Sequence, residues 1–133
     1  GGEGADDIDG GIGSNTAVYS GSSAGVNVVI GGANTGGDAE GDTLNNIQNV
    51  TGSNSDDTLT CDGVANVMTG GSGNDQLSGL GGADRLVGGL GLDTADYSAS
   101  TAVDIDLEAA TSTGGDAEGE EHVTIRRRRE RYS

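Results

Sequence analysis

The sequence predicts an all-β solenoid, a stack of short strands joined by tight turns, and two observations support this prediction. The stretch 52–96 divides into units of nine residues, in which the sixth residue is Asp or Asn and the eighth is apolar. The chain also has 27 glycines but no proline, phenylalanine or tryptophan. Such a composition makes a conventional globular core difficult to build, whereas each coil of a solenoid needs only one or two inward aliphatic side chains.

The nine-residue units follow one another in strict phase. The cleanest is GGSGNDQLS (70–78), and GLGGADRLV (79–87) and GGLGLDTAD (88–96) follow it. Two weaker units precede it, GSNSDDTLT (52–60) and CDGVANVMT (61–69), and the chain opens with GGEGADDID (1–9) and GGIGSNTAV (10–18). A flexible Gly/Asp-rich linker is the alternative interpretation, but a linker has no reason to keep an apolar residue at every ninth place.

Each position of the unit has a physical use. Glycine enters backbone conformations with positive φ at little cost, so the first half of the unit can turn tightly and point its carbonyl oxygens at one spot. The carboxylate at position six adds a hard oxygen ligand of the kind that calcium prefers. Positions seven to nine are extended, and position eight points inward. In the main block these inward residues are Leu59, Met68, Leu77, Leu86 and Ala95.

The pattern G-G-x-G-x-D-x-U-x, with U a large apolar residue, resembles the calcium-binding nonapeptide repeat of the RTX, or haemolysin-type, family of bacteria. The resemblance implies a parallel β-roll with calcium-binding Gly/Asp turns and two nonapeptides per coil. Units two apart then stack, with Asp57, Asp75 and Asp93 in one column and Asn66 and Asp84 in the other. Carboxylates about 4.8 Å apart repel by roughly 1 kcal/mol in water, so a cation between them would favour the fold.

The resemblance also implies which residues bind the metal. The predicted calcium-binding residues are Asp6, Gly70, Gly71, Gly73, Asp75, Gly82, Asp84, Gly88, Gly89, Gly91 and Asp93. Units 52–60 and 61–69 lack the paired glycines, and the alternative that they only pack stays open. Asn15 replaces Asp in the second opening unit, which weakens the site expected there.

A longer repeat of 78 residues relates the two halves of the chain. Tyr19 and Tyr97 are equivalent in it, and so are the two GGDAEG segments at 36–41 and 114–119. The runs VNVVI (26–30) and VDIDL (103–107) alternate with period two, as half-buried strands do. Val103, Ile105 and Leu107 are expected to face inward, and Leu44, Ile47 and Val50 to continue the coil after the first GGDAEG.

The repeats predict five segments. These are opening nonapeptides (1–18), a linking strand segment (19–51), the main nonapeptide block (52–96), a second strand segment (97–119) and an Arg-rich tail (120–133) that is expected to be disordered. The tail breaks the 78-residue repeat; a basic terminus that contacts an acidic partner is the alternative. The acidic cluster Asp38, Glu40 and Asp42 is expected to be a solvated turn, with a further calcium site as the alternative.

Charge limits the partners of the chain. The net charge is −16, and before Arg126 there are 21 acidic residues against Arg85 alone. A chain of this kind is expected to be expanded and disordered when nothing neutralises it. It is a poor candidate for binding nucleic acid through its main body. No stretch is apolar enough to predict a membrane span.

No catalytic motif is present in the sequence. His122 is the only histidine, so the H-E-x-x-H motif is absent, and no G-x-S-x-G or P-loop motif occurs. Cys61 is the only cysteine, which excludes an internal disulfide. A tolerated substitution is the favoured interpretation of Cys61, and a thiol for dimerisation is the alternative.

The sequence therefore predicts a non-enzymatic calcium-binding module, a fragment of a secreted bacterial protein that folds on calcium binding outside the cell. Export through a type I system, which the resemblance implies, needs no N-terminal signal. The partners are calcium ions and neighbouring domains of a longer chain. An adhesive or surface-binding repeat module and an accessory module of a secreted hydrolase are the alternatives. An enzyme module that uses paired carboxylates is less favoured, because the chain lacks the aromatic platforms of a glycan site.

Calcium is expected to increase the β-structure of the chain, because it neutralises the stacked carboxylates. The far-ultraviolet circular dichroism spectrum should gain β character when calcium is added to protein in excess chelator. A β spectrum of the same intensity in chelator and in calcium would contradict the prediction.

Overall fold

The computed structural model describes the backbone of residues 1–97, 102–106 and 123–127 and the side chains of residues 1–96. These residues form twelve short strands and a 3-10 turn at Gly37–Ala39. The strands are β1 (Asp7–Asp9), β2 (Thr16–Val18), β3 (Asn27–Val29), β4 (Thr43–Asn45), β5 (Asn49–Thr51), β6 (Thr58–Thr60), β7 (Val67–Gly71), β8 (Gln76–Ser78), β9 (Ala83–Gly89), β10 (Asp93–Tyr97), β11 (Ala102–Asp106) and β12 (Val123–Arg127).

Consecutive strands of the main block alternate between two parallel sheets. One sheet has the order β12-β10-β8-β6-β3 and the other has the order β11-β9-β7-β5-β2. Because the chain visits each sheet once per two nonapeptides, residues 18 apart become neighbours, as Leu59 and Leu77 do in one sheet and Met68 and Leu86 in the other. The predicted all-β fold, a parallel β-roll, is confirmed. No helix in the described part of the chain is long and apolar enough to cross a membrane.

In the main nonapeptide block, the core lies between the two sheets and is formed mainly by the inward residues at position eight. Leu59 and Met68 are fully buried, and Leu77, Leu86 and Ala95 are at most 3% exposed. Their register stacks Leu59, Leu77 and Ala95 in one column, as the sequence predicts. Burial of these side chains in two narrow columns supplies the hydrophobic contribution to stability.

The segment 31–42 interrupts the regular coil between β3 and β4. After it, β4 pairs with β1 in a separate two-stranded parallel sheet. The Asn34 side chain closes the break, because its Oδ1 accepts from the Val29 amide at 2.8 Å and its Nδ2 donates to the Asp42 carbonyl at 2.9 Å. The coil then resumes, with Leu44, Ile47 and Val50 buried.

The acidic cluster in this segment differs from the expected solvated turn. Asp42 is buried, and its Oδ2 accepts a hydrogen bond of 2.9 Å from the Tyr19 hydroxyl. Its Oδ1 accepts from the Asp6 amide at 2.8 Å. Glu40 is exposed and accepts from the Gly36 amide. The cluster therefore ties two coils together at Asp42.

The second strand segment and the tail each contribute one described strand. β11 pairs with β9, which places Val103 beside Asp84 and Ile105 beside Leu86. The tail was expected to be disordered, but β12 pairs with β10 and places Ile125 beside Ala95. The tail therefore adds a strand to the same sheet as β10. Leu107, His122 and the side chains of 103–106 and 123–127 lie outside the described residues.

Cys61 occupies the first position of its unit and is 1% exposed. Burial raises the pKa of its thiol to about 12, and the nearby carboxylates of Asp84 and Asp62 add to the rise. A buried thiol that stays protonated reacts slowly, so this geometry favours the packing role over dimerisation.

Replacement of Leu77 by alanine should lower the free energy of unfolding by about 2–5 kcal/mol, because it leaves a cavity in the inward column. Leu92→Ala is the matched control, since Leu92 is 49% exposed, and it should change stability by less than about 0.5 kcal/mol. Urea unfolding at saturating calcium measures both. Equal losses for the two variants would show that the column is not the core.

Candidate metal centre

The side chains at position six of the units line the two edges of the roll, where the chain crosses from one sheet to the other. One column, here called the acid column, contains Asp57, Asp75 and Asp93. The other, called the amide column, contains Asn15, Gln48, Asn66 and Asp84. From Asp57 to Asp93, the five position-six side chains are at most 2% exposed. The two columns predicted from the repeat are thus present.

One oxygen of each position-six side chain is used by the fold itself. The Asp57 amide donates to Asp75 Oδ1 at 2.9 Å, and the Asp75 amide donates to Asp93 Oδ1 at 3.0 Å. On the other edge, the Asn66 amide donates to Asp84 Oδ1 at 3.0 Å. Each bond joins residues 18 apart, so these side chains link consecutive coils.

The second carboxylate oxygen is not satisfied in the same way. Among the described residues, Oδ2 of Asp6, Asp75 and Asp84 is buried without a hydrogen-bond partner. Burial raises the pKa of Asp75 to about 8; the Asp57 and Asp93 carboxylates add to the rise, and the Asp57 amide opposes it. Burial likewise raises the pKa of Asp84 to about 6. A buried carboxylate in this state is stabilised by a cation or by a proton.

Glycine at position one makes room for that second oxygen. A Cβ on Gly70 would collide with Asp75 Oδ2 and lie 2.7 Å from the Gly88 carbonyl oxygen. A Cβ on Gly88 would lie 2.6 Å from Asp93 Oδ2, and one on Gly1 would collide with Asp6 Oδ2. Any side chain at position one would therefore fill the space in front of the carboxylate.

Glycines at positions two and four turn the loop. Gly71 and Gly73 have φ of 98° and 101°, and the equivalent Gly89 and Gly91 have 85° and 106°. A Cβ on Gly89 would strike the Gly71 carbonyl oxygen, and one on Gly91 the Gly73 carbonyl oxygen. Loops of successive coils thus stack directly, and only glycine satisfies both the conformation and the close approach.

The second opening unit shows where the loop carbonyls point. Asn15 Nδ2 donates to the carbonyl oxygens of Gly11 and Gly13, each at 3.3 Å, and to that of Asn46 at 3.0 Å. Gly11 and Gly13 occupy positions two and four of their unit, so the equivalent carbonyls in unit 70–78 are those of Gly71 and Gly73. An amide can donate to such oxygens, but a carboxylate cannot.

Carboxylate and carbonyl oxygens together fit a calcium ion, which takes six to eight hard oxygen ligands in flexible geometry. In the described part of the chain, no three His, Cys, Asp or Glu side chains converge. The oxygens that each turn offers to an ion are therefore one or two carboxylates with several backbone carbonyls.

The structure divides the predicted site residues among three places. The acid-column edge holds Asp75 and Asp93 with Gly70, Gly71, Gly73, Gly88, Gly89 and Gly91. The opposite edge holds Asp84 with Gly82, which has a φ of 88°. Asp6 lies at the opening end, bonded through its amide to Asp42.

Sequence reasoning missed two contributors at these edges. Gln48 is a position-six residue, because it precedes the buried Val50 by two places, and its Oε1 accepts from the Asn15 amide at 2.7 Å. Ser53 donates its hydroxyl to Asp57 Oδ1 at 2.6 Å and its amide to Asp57 Oδ2 at 2.7 Å. Counting back two places from each inward aliphatic residue would have found Gln48; no sequence signal marks Ser53.

Replacement of Gly70 by alanine should weaken calcium-dependent stability by about 1–3 kcal/mol, because the new methyl group enters the space beside Asp75 Oδ2. Gly63→Ala is the matched control, since a Cβ there meets no atom within 4 Å. Thermal unfolding across a calcium titration measures both variants. A calcium midpoint shifted equally in the two proteins would contradict this account of position one.

A family model for the RTX calcium-binding nonapeptide repeat matches four copies in residues 1–17 and 62–95. No curated protein matches the chain significantly. The matched residues include the orphaned carboxylates of Asp6, Asp75 and Asp84, and they leave out the unit 52–60, in which Ser53 satisfies Asp57. Residues 1–17 and 62–95 are thus similar to RTX nonapeptide repeats, and calcium is the ion that such repeats bind.

Proposed function

We propose that this chain is a calcium-binding β-roll module of a secreted bacterial protein and that calcium completes its folding outside the cell. The observation that carries the proposal is the orphaned, buried Oδ2 of Asp75, which faces a glycine loop. The Gly71 carbonyl of that loop accepts from the Leu90 amide at 3.0 Å, and a carbonyl oxygen has a second lone pair that an ion can use. The RTX repeats in residues 1–17 and 62–95 support it. Asp75 and Asp93, with the carbonyls of Gly71 and Gly73, would hold one ion, and Asp84 another.

Linkage explains how the ion would act on folding. An ion that binds only the folded state stabilises that state by RT ln(1 + [Ca]/Kd) for each site, so several weak sites add up. Affinities of about 10⁻⁴ to 10⁻³ M are typical of extracellular modules. Sites in this range would stay empty inside a cell and fill outside, which suits a strongly acidic chain that must cross a membrane unfolded.

The module is proposed to have no catalytic activity of its own. A calcium-binding repeat is not in itself catalytic, and the carboxylates at the edges of this roll already accept backbone hydrogen bonds of the fold. Enzymatic or adhesive activity would belong to neighbouring domains of a longer chain. The chain carries 21 acidic residues before Arg126, which makes nucleic acid an unfavourable partner.

Replacement of Asp75 by alanine should abolish one calcium site and raise the calcium concentration needed for folding by about tenfold or more, because it removes a buried ligand. Asp56→Asn is the matched control: it removes the same charge from an exposed neighbouring residue, and its Oδ1 can still accept from the Asn74 amide. Isothermal titration calorimetry gives the number of ions bound, and circular dichroism gives the midpoint. Equal effects of the two substitutions would mean that bulk charge drives the response, and no heat of binding to the natural sequence would refute the proposed function.

A further inference from the structure

The coils of this roll satisfy their position-six side chains in two different ways. Residues 10–69, here called the base, contain Asn15, Gln48, Asn66, Asp57 and the inserted Asp42. Residues 70–96, called the extension, contain Asp75, Asp84 and Asp93. Apart from the insertion 31–42, both parts have the main chain of the same β-roll, so we seek the difference in their need for a cation in these side chains.

Side-chain amides take the place of a cation on one edge of the base. Asn15 Nδ2 donates to the carbonyls of Gly11, Gly13 and Asn46, the oxygens that converge in front of position six. Asn66 Nδ2 donates to the Gln48 carbonyl at 2.6 Å, and its Oδ1 accepts from the Asp62 amide at 3.2 Å. An amide supplies both donor and acceptor, and it carries no charge that a cation must balance.

The two buried carboxylates of the base are satisfied by protein donors. Asp57 accepts from the Ser53 hydroxyl, the Ser53 amide and the Val26 amide. Asp42 accepts from the Tyr19 hydroxyl and the Asp6 amide. Burial and the Asp42 charge both raise the pKa of Tyr19, so its hydroxyl stays a donor over the physiological pH range. Both oxygens of each carboxylate therefore have partners.

The extension lacks these substitutes. Oδ2 of Asp75 and Oδ2 of Asp84 are buried without a hydrogen-bond partner among the described residues. In the base, all of which the structure describes, no side-chain oxygen or nitrogen is buried without a partner. Gly71, at the position equivalent to Ser53, has no hydroxyl, and its amide makes no hydrogen bond to Asp75 Oδ2 of the kind that the Ser53 amide makes to Asp57 Oδ2. An orphaned buried oxygen typically costs about 1–3 kcal/mol, and more when it is charged.

We propose that the base closes without calcium and forms a template, and that calcium is required only to order the extension upon it. This inference rests on the proposed calcium-binding function. Charge alone predicts disorder along the whole chain in chelator, whereas the hydrogen bonds restrict that disorder to the coils with unsatisfied carboxylates. The strands β6 and β7 are then already formed before calcium binds, and β8 and β9 pair with them in parallel when it does.

Amide hydrogen exchange on the full chain tests the template directly. In excess chelator, the Asn49, Tyr19 and Thr58 amides should be protected, because their acceptors are the base carbonyls of Asn15, Thr51 and Val26. The amides of Gln76, Arg85 and Thr94 join the extension to the preceding coil. They should exchange about tenfold faster or more than the base amides in chelator, and reach equal protection in saturating calcium.

Exchanging the carboxylate and the amide at position six between the extension and the base gives a sharper test. Asp75→Asn supplies an amide donor, so the Thr94 amide should gain about tenfold protection in chelator. Asn15→Asp removes the donors to three carbonyls, so the Asn49 amide should lose about tenfold protection in chelator and regain it in calcium. Asp56→Asn, an exposed change of the same kind whose Oδ1 can still accept from the Asn74 amide, is the matched control and should alter neither.

The outcomes separate this inference from the proposed function. If the natural sequence binds calcium but base and extension gain protection together, the template is refuted and calcium binding stands. If Asp75→Asn leaves Thr94 unprotected in chelator, or Asn15→Asp leaves Asn49 unaffected, the amide substitution is refuted. If the natural sequence binds no calcium, the proposed function is refuted, and this inference is refuted with it.

Discussion

The fold depends on the buried side chain at position six, which joins each coil to the one before it. One of its oxygens accepts a backbone amide 18 residues earlier, as Asp75 does from Asp57 and Asp93 from Asp75. The same side chain faces the turn of its own unit, close to Gly70 or Gly88. Since one group serves both the backbone ladder and the proposed calcium site, we infer that coil stacking and ion binding are parts of one interaction.

The turn around position six can hold either a carboxylate or an amide. Asn15 shows the amide form, with its Nδ2 donating to three carbonyl oxygens, and Asp75 shows the carboxylate form, with one oxygen left unsatisfied. The difference of one side-chain group decides whether the turn is complete by itself or requires a positive charge. A solenoid built from such turns can distribute its dependence on calcium coil by coil, because each coil contacts only its neighbours.

The thin core explains why the edges matter so much. Each strand of the regular block contributes one fully inward side chain, such as Leu59, Met68 or Leu77. Burial of one such side chain offsets only part of the conformational entropy that is lost when the residues of a unit become ordered. The columns alone therefore do not stabilise the fold, so the hydrogen bonds and charges at the turns decide whether a coil forms.

The sequence by itself determined the all-β roll, the inward column of Leu59, Leu77 and Ala95, and the acid column of Asp57, Asp75 and Asp93. It could do so because a strict nine-residue period fixes which residues stack once two units make a coil. Only the tertiary structure decided which oxygens are satisfied. Ser53 reaches Asp57, Tyr19 reaches Asp42 across 23 residues, and Gln48 bonds to Asn15 across 33. Such partners come from irregular segments whose positions follow no period, and the pairing of β12 with β10 depends in the same way on a neighbour distant in sequence.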